Sequence, residues 1–332
     1  PYESDPAKWV MMPAFAKPRR KVQLKRMEDL RQWAEACPYN EVQMRSRKMG
    51  VVCAGSAYQH VAEALPEASV FKLGCTWPLP ASALASFAES VEKLYVVEEA
   101  SEYLTCGVRA CGVAVADFPD KLPRAGELSP GLVRRAFGIP DPAHLQACTD
   151  LPPRPPSLCP GCPHRTVFKE LTRLRAIVTG DIGCYTLGAL PPLSAMDTCV
   201  DMGASITMAK GAADAGQHPS VAVIGDSTFT HSGMTGLLDA VNERADITVI
   251  ISDNLTTGMT GGQDSAGTGR LEQICAGIGV DPAHIRTVVP LPKNREEMKA
   301  VIREEIAHRG VSVIIPRREC IQTAKRHNAA KK

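Results

Sequence analysis

Val221-Ala222-Val223-Ile224-Gly225-Asp226-Ser227-Thr228 is the stretch on which the fold turns. Four apolar residues without polar alternation describe a strand covered on both faces, as in a parallel sheet flanked by helices. The run stops at Gly225, where a missing side chain lets backbone approach a ligand, and Asp226 sets a carboxylate at the strand's carboxyl end. Open α/β sheets bind their ligands there. The next apolar run, Ile247–Ser252, ends in Asp253-Asn254-Leu255-Thr256. Two neighbouring strand ends thus offer a carboxylate, an amide oxygen and a free backbone carbonyl. These are hard donors suited to an octahedral Mg²⁺ that keeps its other positions for phosphate. Thr257-Gly258-Met259-Thr260-Gly261-Gly262-Gln263 follows, a loop able to present N–H and hydroxyl donors to an anion. Gly-Asp-Ser alone suits an ordinary turn; its pairing with Asp-Asn singles out a site.

The same rhythm continues outward. Ala176–Thr179 and Val311–Ile315 are further continuous apolar runs, so a doubly wound parallel sheet is expected over residues 157–322. Earlier, Val51–Ala54, Val70–Leu73 and Leu94–Glu98 read as strands, with helices at Ala57–Leu65 and Ala81–Ser90. The expected fold class is α/β, a small domain over 49–118 followed by the larger one. Residues 119–156 hold many of the prolines and suit an extended connector. Residues 1–48 are basic, with one amphipathic helix expected over Val22–Ala36 as a solvated arm; 323–332 is a basic tail.

A formal charge of +2 over 332 residues gives no push toward nucleic acid or membrane, and no apolar run is long enough to span a bilayer. A soluble cytoplasmic protein is the expectation. The chain opens at Pro1 without Met, which reads as processing or as a fragment. Most of the twelve cysteines sit singly in apolar segments, as at Cys53, Cys75, Cys199 and Cys275, the habit of free thiols in a reducing compartment.

Cys159-Pro160-Gly161-Cys162-Pro163-His164-Arg165 differs, a C-x-x-C in a proline-rich loop. A thioredoxin-type redox motif follows a strand, and none is expected here. A zinc knuckle needs two more ligands, and no second C-x-x-C exists. An iron–sulfur cluster needs four thiolates, which are often scattered. Cys184, among glycines after a strand in Gly180-Asp181-Ile182-Gly183-Cys184-Tyr185, is a good third ligand, and Cys320 after the last strand is the best fourth. A C-x-x-C that only braces its loop is the plain alternative.

Gly225-Asp226-Ser227 with Asp253-Asn254 resembles the metal–pyrophosphate motif of thiamine diphosphate enzymes, usually GDG…NN, from which Ser227 departs. Met259-Thr260-Gly261-Gly262-Gln263 is similar to the loop of 2-oxoacid:ferredoxin oxidoreductases. The fuller pattern resembles the alpha subunits of the indolepyruvate ferredoxin oxidoreductases, through the Cys159–Arg165 run, Gly180-Asp181-Ile182-Gly183-Cys184-Tyr185-Thr186-Leu187-Gly188, Met202-Gly203-Ala204-Ser205-Ile206 and Gly225-Asp226-Ser227-Thr228-Phe229-Thr230-His231-Ser232-Gly233. The resemblance covers nearly the whole chain. The 49–118 domain resembles the transketolase C-terminal type.

The resemblance implies Mg²⁺ on Asp226, the Asn254 side chain and the Thr256 carbonyl, and a [4Fe–4S] cluster on Cys159, Cys162, Cys184 and Cys320. It implies thiamine diphosphate contacts at Gly183, Tyr185, Thr186, Gly203, Ser205, Ile206, Gly225, Ser227, Thr228, Thr260 and Gly261, with Ile206 a candidate prop beneath the cofactor. A plain helix start at 203–206 is an equal reading. His231 is the catalytic candidate, and His164 a second histidine able to face substrate or phosphate. The implied reaction is oxidative decarboxylation of an aryl pyruvate such as indolepyruvate, with coenzyme A taking the acyl group and ferredoxin the electrons. Implied partners are a beta (gamma-type) subunit and a chain carrying the pyrimidine domain, in an oligomer. That pyrimidine domain and a C-terminal ferredoxin-like module are expected parts of the family not seen in these residues. A non-redox thiamine decarboxylase and a cofactor- or partner-binding fragment without turnover are the competing readings.

Overall fold

A computed structural model describes residues 1–142, 148–174 and 176–330. The chain divides into two units, Pro1–Thr149 and Asp150–Lys332.

In the first unit, β1 (Glu41–Gln43), β2 (Met49–Ala54), β3 (Ser69–Leu73) and β4 (Lys93–Val97) form one sheet in the order β1-β3-β2-β4. β2 pairs in parallel with β3 and β4, and β1 runs antiparallel along β3. Alternate residues feed two cores. Val51, Cys53, Val70 and Val97 pack toward the helix Ser56–Ala64, while Val52, Phe71 and Val96 pack with Leu84, Phe87 and Val108 from the helices Ala81–Glu89 and Tyr103–Ala110. Within the expected connector, Pro130–Ala136 is a helix. Ser129 caps it by accepting from the Leu132 N–H, and Pro130 occupies its first turn. Its Val133 joins the core of Val51 and Val61, so residues around 118–137 finish this unit's packing. The arm helix spans Pro13–Glu35, nine residues earlier than the expected Val22 start, with Pro18 inside it. Only Ala34 on it is buried, in keeping with a solvated arm.

The second unit is a six-stranded parallel sheet of β5 (Ile177–Gly180), β6 (Thr198–Cys199), β7 (Ser220–Gly225), β8 (Thr248–Ser252), β9 (Ile285–Val288) and β10 (Ser312–Pro316). Its order is β6-β5-β7-β8-β10-β9. From β5 the chain winds outward to β6, then crosses back to β7 on the other side, so the switch point lies between β5 and β7. Odd and even strand residues again face opposite layers. Val178, Val221, Val223, Ile250 and Ile314 meet Phe168 and Ile302 on one side. Ala222, Ile224, Val249, Ile251, Val313 and Ile315 meet Ile206, Leu237 and Leu271 on the other. Each fully buried branched side chain contributes about 1.5–3 kcal/mol. This two-faced burial is why the strands read as unbroken apolar runs. Among the described residues no helix is long and apolar enough to cross a membrane. All twelve cysteines are free.

Candidate functional site

The loop leaving β5 organises the switch point. Asp181 is wholly buried and its carboxylate accepts from the Gly203 N–H at 2.9 Å and the Ser205 N–H at 3.2 Å. It therefore caps the helix Ala204–Asp214 from another strand, a role the sequence reading did not assign. Gly203 has φ +98°, and a Cβ there would lie 2.5 Å from Ser232 Oγ, so glycine is required. Thr186 Oγ1 donates to the Asp181 carbonyl at 2.6 Å and accepts from the Gly183 N–H at 3.0 Å. Tyr185 is buried beneath Gly183 and Gly225, and its hydroxyl donates to the Ile182 carbonyl at 2.9 Å. Burial pushes that phenol above its ordinary range. Both side chains are thus engaged by the loop's own backbone. Ile206 lies wholly in the core against Ile224 and Leu237, directly under this region. Ser205 Oγ is buried without a hydrogen-bond partner.

At the end of β7, Asp226 is 3% exposed and its Oδ2 makes no hydrogen bond of good geometry; the buried Ser265 hydroxyl lies close enough to favour its charged form but is not aligned with it. Burial first, and the Asp253 charge second, push the Asp226 carboxyl up to about 6. Hydrogen bonds close the surrounding loops: Thr257 Oγ1 donates to Ser227 Oγ at 3.0 Å, and Thr228 Oγ1 to the Ile182 carbonyl at 3.2 Å. Asn254 is buried, and its Oδ1 accepts only from the Thr256 N–H among the recorded side-chain bonds, at 3.1 Å. One lone pair of that oxygen remains. Thr256 Oγ1 donates to the Gln263 carbonyl at 2.9 Å, and the Thr257 N–H to the same oxygen at 2.8 Å. The 256–263 loop is thereby a closed turn that presents Thr260 and Gly261 at its exposed tip. β7 and β8 pair as far as Gly225 and Ser252, so Asp226 and Asn254 leave adjacent strand ends; a buried carboxylate and an amide oxygen there are donors of the kind that suit a divalent cation.

The four sequence-predicted cysteines come together. Cys159, Cys162, Cys184 and Cys320 all line one cavity of about 140 Å³, with Leu158, His164, Asn254 and Gly258 among its other walls. Cys320 is held by its N–H on the Asn254 carbonyl at 3.0 Å, and Cys162 by its N–H on the Cys159 carbonyl at 3.1 Å. Gln322 Nε2 donates to Cys159 Sγ at 3.4 Å. Burial first, with smaller contributions from the other three sulfurs, pushes the Cys162 thiol up to about 11. Cys184 is raised by burial and then by Cys320 and Cys159. Thiolates gathered this way are unfavourable unless a cation neutralises them, which fits a metal-bearing group. Among the described residues no three of His, Cys, Asp and Glu converge as a chelate for a single ion. His164 is buried here, and burial lowers its ring to about 4.

Asn254 belongs to both places. A Cβ on Gly258 would lie 3.6 Å from Asn254 Nδ2 and 3.7 Å from Cys184 Sγ, so the amide and the sulfur flank the same glycine. His231 stands apart and exposed, its Nδ1 3.0 Å from Ser232 Oγ. The Ser232 hydroxyl gives its one hydrogen to the Met202 carbonyl at 2.8 Å. With that hydroxyl hydrogen committed, the Ser232 oxygen is free to accept from Nδ1, an arrangement compatible with Nε2 as the acceptor of a neutral ring.

Residues 181–315 match the family model described as "Thiamine pyrophosphate enzyme, C-terminal TPP binding domain". The match begins at Asp181 and ends at the last core residue of β10, so it encloses the switch-point loops just described. Indolepyruvate oxidoreductase subunit IorA of Pyrococcus abyssi is 32% identical over 372 aligned residues, covering 96% of this chain and 56% of that protein. The chain is similar to the IorA subunits along nearly its whole length. IorA of Methanothermobacter marburgensis is 34% identical, with 96% of this chain and 57% of that protein covered. The chain thus spans about half the length of the curated relatives it matches. Among solved structures, 2-oxoglutarate:ferredoxin oxidoreductase from Magnetococcus marinus is 17% identical over 50% of this chain and 65% of that one, with a TM-score of 0.41.

Proposed function

We propose that this chain holds thiamine diphosphate through a divalent cation, Mg²⁺, bound by Asp226, Asn254 and the Thr256 carbonyl, as part of a 2-oxoacid:ferredoxin oxidoreductase. The observation that carries this reading is the orphaned, buried Asp226 Oδ2 at the β7 end, set beside Asn254 and within the matched domain. Gly203, Gly225, Ser227, Thr228, Thr260 and Gly261 surround the space with small residues and donors. Ser205 and Ile206 form its floor, and Gly183, Tyr185 and Thr186 fix the loop that borders it. When bound, thiamine diphosphate supplies the carbanion chemistry that releases CO₂ from a 2-oxoacid.

The chain's own residues do the rest. Asp226 and Asn254 hold and orient the cation, whose charge offsets that of the diphosphate. The wholly buried layer of Ile206, Ile224 and Phe229 keeps water from the sheet side of the site. His231, with Nε2 free, accepts or returns a proton at the substrate's side. Cys159, Cys162, Cys184 and Cys320 would hold a [4Fe–4S] cluster, which would supply one-electron chemistry. The whole enzyme converts a 2-oxoacid, an aryl pyruvate such as indolepyruvate, and coenzyme A to acyl-CoA, CO₂ and two electrons accepted by ferredoxin. A beta (gamma-type) subunit and a pyrimidine domain complete it.

Calorimetric titration tests the reading directly. Thiamine diphosphate with Mg²⁺ is expected to bind the wild-type chain and not Asp226→Ala; equal affinity in both refutes the cation assignment. Against a non-redox decarboxylase, anaerobic preparations are expected to contain about four iron atoms per chain. A colourless, iron-free protein that still decarboxylates favours the alternative.

A further inference from the structure

We propose that Arg317 is a positioning residue of the cation site, acting through Asp253; the inference rests on the cation reading above. Arg317 follows β10, and Asp253 follows β8 beside it. Their backbones continue the parallel ladder: the Asp253 N–H donates to the Pro316 carbonyl at 3.1 Å, and the Arg318 N–H to the Asp253 carbonyl at 3.0 Å. Arg317 Nε then donates to Asp253 Oδ2 at 2.5 Å. Its two terminal nitrogens grip Glu272 at 2.7 and 2.9 Å, a bidentate fork. Thr287 Oγ1 donates to the same Glu272 at 2.9 Å, and the Arg317 hydrogen bonds lead the causes that hold this carboxyl down near 2.

The consequence lies at the other oxygen of Asp253. Oδ1 accepts from the Leu255 N–H at 3.1 Å, and Leu255 sits at φ +59°, a left-handed conformation that branched residues avoid. Asp253 thus pins the strained residue between Asn254 and Thr256, the two ligands contributed by this loop. Its side chain is wholly buried and lies near Asp226. Unpaired, a second buried carboxylate beside Asp226 would compete for the cation or release Leu255. Arg317 occupies Oδ2, leaves Oδ1 to the backbone, and keeps the cation on Asp226, Asn254 and Thr256. Lysine lacks the fork that reaches two carboxylates at once.

The test is Mn²⁺ binding, with inorganic pyrophosphate as the diphosphate probe, followed by paramagnetic resonance on the full chain. Arg317→Ala is expected to weaken Mn²⁺ binding about tenfold, the low end of what losing an outer partner costs a metal site, and Arg317→Lys less. The double variant Asp253→Asn/Arg317→Ala removes the stranded charge while keeping an oxygen for the Leu255 N–H. It is expected to regain affinity to within about threefold of wild type, as it would if unpaired charge is what Arg317 removes. A lower melting temperature in Arg317→Ala with unchanged Mn²⁺ affinity overturns the proposal, because Arg317 then only stabilises the fold. A double variant as weak as Arg317→Ala also overturns it. No Mn²⁺ binding by wild type refutes the cation site itself, and this proposal with it.

Discussion

Replacing Asp226 by asparagine is expected to stabilise the cation-free protein at neutral pH. The carboxyl is nearly fully buried, and burial together with the Asp253 charge raises it from 3.8 to about 6. In the unfolded chain it titrates near 3.9. Between those values the folded state binds more protons than the unfolded one, so stability falls as pH rises from about 4 to about 6, and stays reduced above. Two pKa units correspond to about 3 kcal/mol, at about 1.4 kcal/mol per unit. For a domain of this size each kcal/mol moves the melting temperature about 2–4 °C, so the full effect is about 6–12 °C. Asparagine keeps the shape and removes the charge. The difference between wild type and Asp226→Asn, measured by urea denaturation with EDTA from pH 4.5 to 8, is expected to open in favour of the variant as pH rises. Cation binding reverses the order, since the ion supplies the charge partner that the folded state lacks. A difference that stays flat with pH, or that favours wild type without cation, refutes the claim that Asp226 is an uncompensated buried carboxyl.

Cys184→Ser is expected to leave fewer than four irons per chain after anaerobic preparation, checked by iron and sulfide analysis; stoichiometric zinc in wild type contradicts the cluster. Gly203→Ala combines φ +98° with a Cβ 2.5 Å from Ser232 Oγ and is expected to destabilise the second unit by about 2–4 kcal/mol, read as a lower denaturation midpoint. An unchanged midpoint contradicts the close approach. His231→Gln is expected to lower kcat by about a hundredfold or more in the assembled enzyme with diphosphate affinity unchanged. Wild-type turnover removes His231 from the proton chemistry.

Much of the larger unit is legible in sequence because its strands are buried on both faces. β7 and β8 are unbroken apolar runs, and their ends carry Gly225-Asp226 and Asp253-Asn254 in plain view. β6 and β9 are not legible: β6 has two residues, and β9 reads Ile-Arg-Thr-Val at the sheet edge, where one side needs no apolar cover. The helix Pro130–Ala136 did carry a signal, Ser129-Pro130, an N-cap followed by proline in the first turn. It was masked by the prolines around it, whose composition suits an extended chain equally well. Asp181 also had a local sign, since Gly180-Asp181 repeats the Gly225-Asp226 pattern at a strand end. Its partners, Gly203 and Ser205, follow β6, which pairs in parallel beside β5, and have no sequence spacing to betray them. The Arg317–Asp253–Glu272 group joins residues from three elements far apart in the chain, which no window of sequence brings together.

The cysteine cavity and the cation site are mechanically one structure, and Asn254 is the reason. Its backbone carbonyl holds the Cys320 N–H at 3.0 Å, while its side chain flanks Gly258 opposite Cys184 Sγ. Asp253 before it is tied to Arg317 on the same strand end that carries Cys320 three residues later. Drawing Cys320 toward the other three sulfurs therefore pulls on the carbonyl of Asn254, a proposed cation ligand, and turning the Asn254 amide toward a cation would shift a wall of the cavity. Parallel strands make this possible. β8 and β10 end level with one another, so the residues just beyond them share a ladder instead of diverging into separate loops. On the proposed function, the shared ladder at two adjacent strand ends sets the cation ligands and the cysteines close together.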